Sequence, residues 1–229
     1  MENAAPDLGR RAAEANAKFL LALAILVFLA AGTLAYWQGW LFLVHFAAWS
    51  AGTSIYFYYR DSALLEKRMR AGPAAETEPA QKRIQLFTSI VMIALILVSI
   101  LDHRFGWSTV PAWAVIAGNL LIAAGFMFVV VVLRENSFAS ATIEVAEGQK
   151  VVSTGPYALV RHPMYAGVLP LASGIPLALG SWWGLVIVPL ILVGLILRLL
   201  DEEGHLRRDL PGYQDYCLEV RYRLVPGIW

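Results

Sequence analysis

Six apolar stretches dominate the chain, at 17–36, 40–59, 84–101, 112–133, 164–179 and 183–200. A bilayer core about 30 Å thick is crossed by roughly 20 helical residues. Only helices or closed barrels satisfy every backbone polar group at that depth. The stretches therefore predict an all-α, polytopic transmembrane helix bundle of about six spans. Composition agrees, with 59% hydrophobic and 15% charged residues, against about 25% charged in ordinary soluble domains. The link Trp37-Gln38-Gly39 is short enough to force the first two segments antiparallel. The fifth segment is short and carries Pro170 and Pro176. A tilted, kinked or re-entrant segment, paired with the sixth as a hairpin, is the expectation there.

Lys and Arg set the orientation. The N-terminal tail has Arg10, Arg11 and Lys18. The links after segments two and four and the C-terminal end hold all the others except Arg104. Both termini and the polar clusters are thus expected on the cytoplasmic side. Trp37, Trp40, Trp107, Trp113, Trp182 and Trp183 fall at the opposite face, as an interfacial belt would. The lone polar residues His45 and Asn119, in segments two and four, read as interhelical hydrogen-bonding groups.

Several function classes are excluded by what the chain lacks. A net charge of +1 gives no footprint for nucleic acid. The four histidines and the single Cys217 show no metal-ligand spacing, so no metal is expected. There is no Walker loop, no GxGxxG after a strand, no HExxH and no GxSxG. Charges do not recur in mid-span as in ion-coupled carriers. Chemistry at one membrane face is the stronger expectation.

Two clusters could carry it. The first is VVSTGPYALVRHPMYAG at 151–167, where Gly-Pro marks a turn and Pro163 biases His162 away from helix. The second is Arg198, Asp201, Glu202, Glu203 and His205 at the inner end of segment six. If that helix continues, Arg198 and Glu202 share a face and could simply form a helix-end salt bridge. A hairpin of segments five and six would bring both clusters to one surface. Together they offer cations, carboxylates and aromatics enough for a zwitterionic or nucleotide-like ligand.

From residue 136 onward the chain resembles the isoprenylcysteine carboxyl methyltransferase family and its phospholipid methyltransferase relatives. The matching residues are GPYALVRHPMYAG at 155–167, LRLLDEEGHL at 197–206 and LPGYQDY at 210–216. The resemblance implies an S-adenosylmethionine enzyme, releasing S-adenosyl-L-homocysteine, with a cytoplasmic cofactor pocket and a lipophilic acceptor arriving through the bilayer. It implies cofactor contacts from Gln149, Lys150, Val151 and Val152, then Tyr157, then His162, Pro163, Met164 and Tyr165, and finally Glu202. It implies Arg198 at the acceptor, with Glu203 completing a catalytic set of Arg198, Glu202 and Glu203. Thr142 is not carried over, because its flanks do not match. The chain then divides into an N-terminal cytoplasmic tail (1–16), a four-helix membrane region (17–133) and a cofactor-binding catalytic region (134–229).

The acceptor expected first is the carboxylate of an isoprenylcysteine-type molecule, which needs a cation and no general base. Arg198 would supply that cation. An amine lipid on the same fold would have to lose a proton first, with Glu203 or His205 as the base. A small thiol is a further option, and a non-catalytic membrane scaffold or carrier is the alternative from another class. The sequence leaves the oligomeric state open.

Overall fold

The computed structural model describes residues 7–142 and 148–229. Residues 1–6 of the expected tail, and 143–147 just before the predicted cofactor contacts, lie outside the described residues. Among the described residues all regular structure is helical. The helices are α1 (Leu8–Ala31), α2 (Trp37–Arg60), α3 (Ser62–Met69), α4 (Pro79–Phe105), α5 (Ala112–Glu135), α6 (Pro163–Ala178), α7 (Val188–Asp209) and α8 (Tyr213–Glu219). Single 3-10 turns occupy Gly155–Ala158 and Trp183–Ile187.

Helix boundaries follow local chemistry. α1 stops at Gly32, in the left-handed region at φ 68°, with its N–H bonded to the Phe28 carbonyl. α3 starts where the Asp61 side chain accepts from Leu64 N at 2.9 Å. α4 and α6 begin with Pro79 and Pro163, residues whose missing N–H costs nothing in a first turn. α4 thus begins several residues before the predicted segment, and part of the expected polar loop is α3. α7 continues beyond its apolar part to Asp209, which keeps Arg198, Asp201, Glu202, Glu203 and His205 on one helix.

Four helical stretches are long and apolar enough to cross a membrane: Leu8–Ala31, Pro79–Phe105, Ala112–Glu135 and Trp183–Asp209. α2 is as long as α1 but lacks a continuous stretch as apolar as theirs, and α6 has only 16 residues. Large apolar side chains such as Leu29, Trp113 and Leu120 remain exposed on the outer faces. Inside, Val27, Tyr36, Leu95, Ile100, Ile122, Leu179 and Ile191 form one buried core. The lone polar residues meet as expected: His45 Nδ1 lies 3.0 Å from Asn119 Oδ1, and Trp49 Nε1 donates to His45 Nε2 at 2.9 Å.

The expected hairpin partner of α6 is the one clear departure. α6 packs most intimately on α5, and only loosely on α7, which lies against α4. Glycines cause this. Gly118 and Gly125 on α5 face Gly174 and Gly167 on α6, and a Cβ at Gly118 or Gly174 would strike the other helix's backbone. Small residues let membrane helices approach this closely. Such contact also explains how α6 runs on through Pro170 and Pro176, since buried neighbours can satisfy what proline frees.

The links between the helices gather at two ends of the bundle. At one end Asp102, fully buried, accepts from Ser108 N at 2.7 Å, Ser108 Oγ at 2.6 Å and Ser181 Oγ at 2.6 Å. That carboxylate ties the α4–α5 link to the α6–α7 link. Arg104 sits at this end too, donating to the Ala30 carbonyl at the C-terminus of α1. The opposite end gathers both clusters picked out in the sequence.

Candidate functional site

The site is assembled where the start of α6 meets the polar end of α7. Pro163 opens α6, so His162 stays extended at φ −124° just ahead of it. The backbone of Arg161 and His162 is held by the C-terminal tail: Arg161 N donates to the Tyr222 carbonyl and His162 N to that of Arg223, both at 2.9 Å. The Arg161 side chain adds bonds to the Val220 and Arg221 carbonyls, each 2.9 Å. The RHP stretch is therefore strapped to a segment some 60 residues further on.

Glu202 and Glu203 are neighbours in sequence and about 100° apart around α7, and they meet different surroundings. Glu203 is buried among cations. Arg161 Nε donates to it at 2.7 Å, Arg223 Nε at 3.0 Å, and His162 Nε2 lies 3.4 Å away. Glu202 turns into an internal cavity, where the Tyr165 hydroxyl donates to it at 2.6 Å and His162 Nδ1 stands 3.8 Å off. His162 thus spans the two acids.

That cavity collects the residues expected at the cofactor. Gln149 through Val152, Tyr157, His162 through Tyr165, and Glu202 all line it, as does Arg198. Arg161 lines it too, whereas Glu203 does not; Glu203 lies behind the wall, on Arg161 and Arg223. The wall also includes Asn136, Thr142, His205, Tyr213 and Tyr216, which the sequence had not assigned to the cofactor.

Two phenols on this wall contrast. Tyr157 accepts from Asn136 Nδ2 at 3.1 Å, and its carbonyl accepts from the Tyr216 hydroxyl at 2.7 Å. Burial pushes the Tyr157 phenol up to about 12. The Tyr213 hydroxyl is also buried, and burial pushes it well above its ordinary value, with the Glu203 charge adding to the effect. It has no hydrogen-bond partner among the described residues. A buried hydroxyl without a partner is costly.

Arg198 is more heavily engaged than a helix-end salt bridge would require. Its carboxylate partner is Glu76, from the α3–α4 link, at 2.7 Å, and not Glu202. It also donates to Gln85 Oε1 at 2.9 Å, Gln81 Oε1 at 3.3 Å and the Ala141 carbonyl at 2.8 Å. Gln81 in turn donates to Asp201. α4 and its preceding link therefore build part of the site. Nothing in their sequence pattern singles them out, because the pairing is long-range.

The donor and acceptor set suits a polar ligand with both charges and an apolar part. Glu202 and Tyr165 can meet a cation or hydroxyls, Lys150 can meet an anion, and Val151, Val152 and Tyr157 supply apolar wall. Four membrane-length apolar helices mark an integral membrane protein, and this polar cavity opens at one end of it. Residues 113–211 match the model of the phospholipid methyltransferase family, membrane enzymes related to the isoprenylcysteine methyltransferases. The match runs from α5 to the link after α7 and includes most of the cavity wall. A Delta(14)-sterol reductase of Mus musculus, TM7SF2, is 30% identical over 96 residues, which cover 38% of this chain and 22% of that protein. The chain thus spans about a fifth of the length of that curated relative.

Proposed function

We propose that the protein is an S-adenosylmethionine-dependent methyltransferase of the membrane, with its cavity on the cytoplasmic side. The acceptor is lipophilic and enters from the bilayer. The same reading takes all six long helices as spans and both termini as cytoplasmic. Its support is that every Lys and Arg except Arg104 belongs to the site end of the bundle. It also takes 1–16 as a tail, 17–133 as the membrane region and 134–229 as the cofactor-binding region, with α5 serving the last two.

One observation carries the reading. Glu202 and Tyr165 meet at 2.6 Å on a cavity wall shared with His162, Tyr157 and the 149–152 strand of backbone. When bound, the cofactor supplies a methyl group on a sulfonium, open to in-line displacement, so placing the reactants is the main task. Glu202 accepts hydrogen bonds from the ammonium or the ribose, and Tyr165 fixes the rotamer of Glu202. His162, held by its backbone bond to Arg223, keeps both acids in place. Lys150 faces the carboxylate, and Val151, Val152 and Tyr157 pack the adenine. Glu203 positions this wall from behind, through Arg161, which reaches the cavity lining.

For the acceptor, an isoprenylcysteine-type carboxylate is one reading, with Arg198 at its head group in exchange for Glu76. A phospholipid amine is the second, favoured by the family match and by the carboxylate of Glu76 already on Arg198. An amine must lose a proton, and His205, whose ring lines the cavity with Nδ1 2.9 Å from the Asp201 carbonyl, is the group placed to take it.

Calorimetry of the detergent-solubilised protein with S-adenosylhomocysteine tests the enzyme reading. Binding is expected. A folded sample that ignores this ligand but takes a nicotinamide cofactor would replace it with a reductase reading, in line with the sterol reductase similarity. A sample that takes neither would leave a scaffold or carrier. Methyl-labelled cofactor with membranes then separates the acceptors: base-labile label marks an ester, and label retained in a head group marks an amine.

A further inference from the structure

Arg198 is the cation expected at the acceptor, yet its donors are already committed within the protein. A guanidinium has five N–H groups in a rigid fork, four of them on the two terminal nitrogens. Nη2 meets the Glu76 carboxylate at 2.7 Å and the Ala141 carbonyl at 2.8 Å. Nη1 meets Gln85 at 2.9 Å and Gln81 at 3.3 Å. Bidentate capture of a carboxylate needs two parallel N–H bonds, and all four terminal hydrogens have partners.

The pair is also shielded. The Glu76 side chain is 2% exposed and that of Arg198 11%. Opposite charges out of water hold each other far more strongly than at a surface. A free acid entering the cavity would meet Glu76 on Arg198 and Glu202 one turn along the same helix. It would face two carboxylates and a cation that is already matched.

We propose that Glu76 selects the acceptor class. Its carboxylate neutralises Arg198 at one terminal nitrogen, with Gln81, Gln85 and the Ala141 carbonyl on the rest of the fork, so the site disfavours free carboxylates and takes an acid only by exchange with Glu76. Neutral or cationic head groups need no such exchange. As a statement about methyl acceptors this rests on the methyltransferase reading; as a statement about ligand charge it rests on the Arg198–Glu76 pair alone.

The test is equilibrium binding of S-farnesylcysteine and its methyl ester to the full chain in detergent, without cofactor. The wild type should bind acid and ester within about twofold of each other. Glu76→Gln keeps the shape and one hydrogen bond but removes the charge. It should tighten acid binding about tenfold and leave the ester unchanged. A wild type that already prefers the acid tenfold or more overturns the proposal. So does a Glu76→Gln protein whose acid-to-ester ratio stays where it was, or that fails to bind the acid. Should Glu76→Gln not fold, the wild-type ratio decides. S-adenosylhomocysteine binding in the same samples reports on the methyltransferase reading separately: its absence from folded wild type removes that reading and leaves the acid-to-ester comparison intact.

Discussion

Arg161 and Glu203 form an ion pair of 2.7 Å in which each side chain is only 5% exposed. Arg223 closes on the other oxygen of Glu203 at 3.0 Å, and the carbonyls of Val220 and Arg221 take the remaining reach of Arg161. The pair therefore joins three parts of the chain: the entrance to α6, the end of α7 and the C-terminal tail. Removing Glu203 leaves Arg161 buried without a carboxylate, at a cost of about 3–5 kcal/mol, and removing Arg161 leaves Glu203 to the less buried Arg223. Arg161→Ala and Glu203→Ala should each lower the unfolding midpoint in detergent sharply. The double variant should cost less than the sum of the two. Additive losses would mean that the pair does not act as a unit.

Glu202 differs because it faces the cavity and is held by a phenol instead of a guanidinium. Glu202→Gln keeps the size of the side chain and removes the charge. It should weaken S-adenosylhomocysteine binding at least about tenfold, the range expected of a hydrogen bond to a charged group, with the unfolding midpoint nearly kept. Tyr165→Phe frees the rotamer of Glu202 and should show a smaller loss of the same kind. Isothermal calorimetry and a thermal scan on the same samples separate this pattern from the one expected at Glu203.

The sequence made much of this legible. Continuous apolar runs located the helices, since a membrane leaves the backbone few alternatives. The Gly-Pro turn and the residue before Pro163 marked the bend at the site. His45 and Asn119 stood out as polar groups in apolar helices, and they bond each other. The joining of His162 and Tyr165 with Glu202 followed from two clusters expected at one surface. What stayed hidden depends on packing across long separations. Gln81, Gln85 and Glu76 look like ordinary polar residues of a link and a helix start until α4 is laid against α7. The preference of α6 for α5 over α7 is written in the seven-residue spacing of Gly118 to Gly125 and Gly167 to Gly174. That spacing has meaning only once the two helices are known to face each other.

The glycine contact predicts a steep size dependence. A Cβ at Gly174 would meet the Gly118 carbonyl and the Ile122 backbone, which cannot rotate away. Gly174→Ala must part α5 from α6, and overpacking of this kind costs about 1–3 kcal/mol. Gly174→Val should cost more. Gly52, whose Cβ would meet nothing within 4 Å, is the control, and Gly52→Ala should leave the midpoint unchanged or raise it slightly. Because α6 carries Pro163, Met164 and Tyr165 on the cavity wall and Asn136 follows directly on α5, ligand affinity should fall together with stability in the Gly174 variants. Unchanged stability in Gly174→Ala would show that the helices are not in close contact.

Tyr213 yields the sharpest prediction because two effects of one atom have opposite signs. Its hydroxyl is buried on the cavity wall and has no partner among the described residues. An unsatisfied buried hydroxyl costs about 1–3 kcal/mol, so Tyr213→Phe should leave the ligand-free protein as stable as wild type or more so. If the hydroxyl is there to meet the cofactor, the same change should weaken S-adenosylhomocysteine binding by about five- to tenfold, the worth of one hydrogen bond, and shrink the ligand-induced rise in the unfolding midpoint. Tyr216→Phe is the counterpart, since that hydroxyl already donates to the Tyr157 carbonyl at 2.7 Å. It should lower stability before it affects binding. A Tyr213→Phe protein that loses stability without ligand and keeps its full affinity would place the hydroxyl in the architecture of the wall and take it out of ligand recognition.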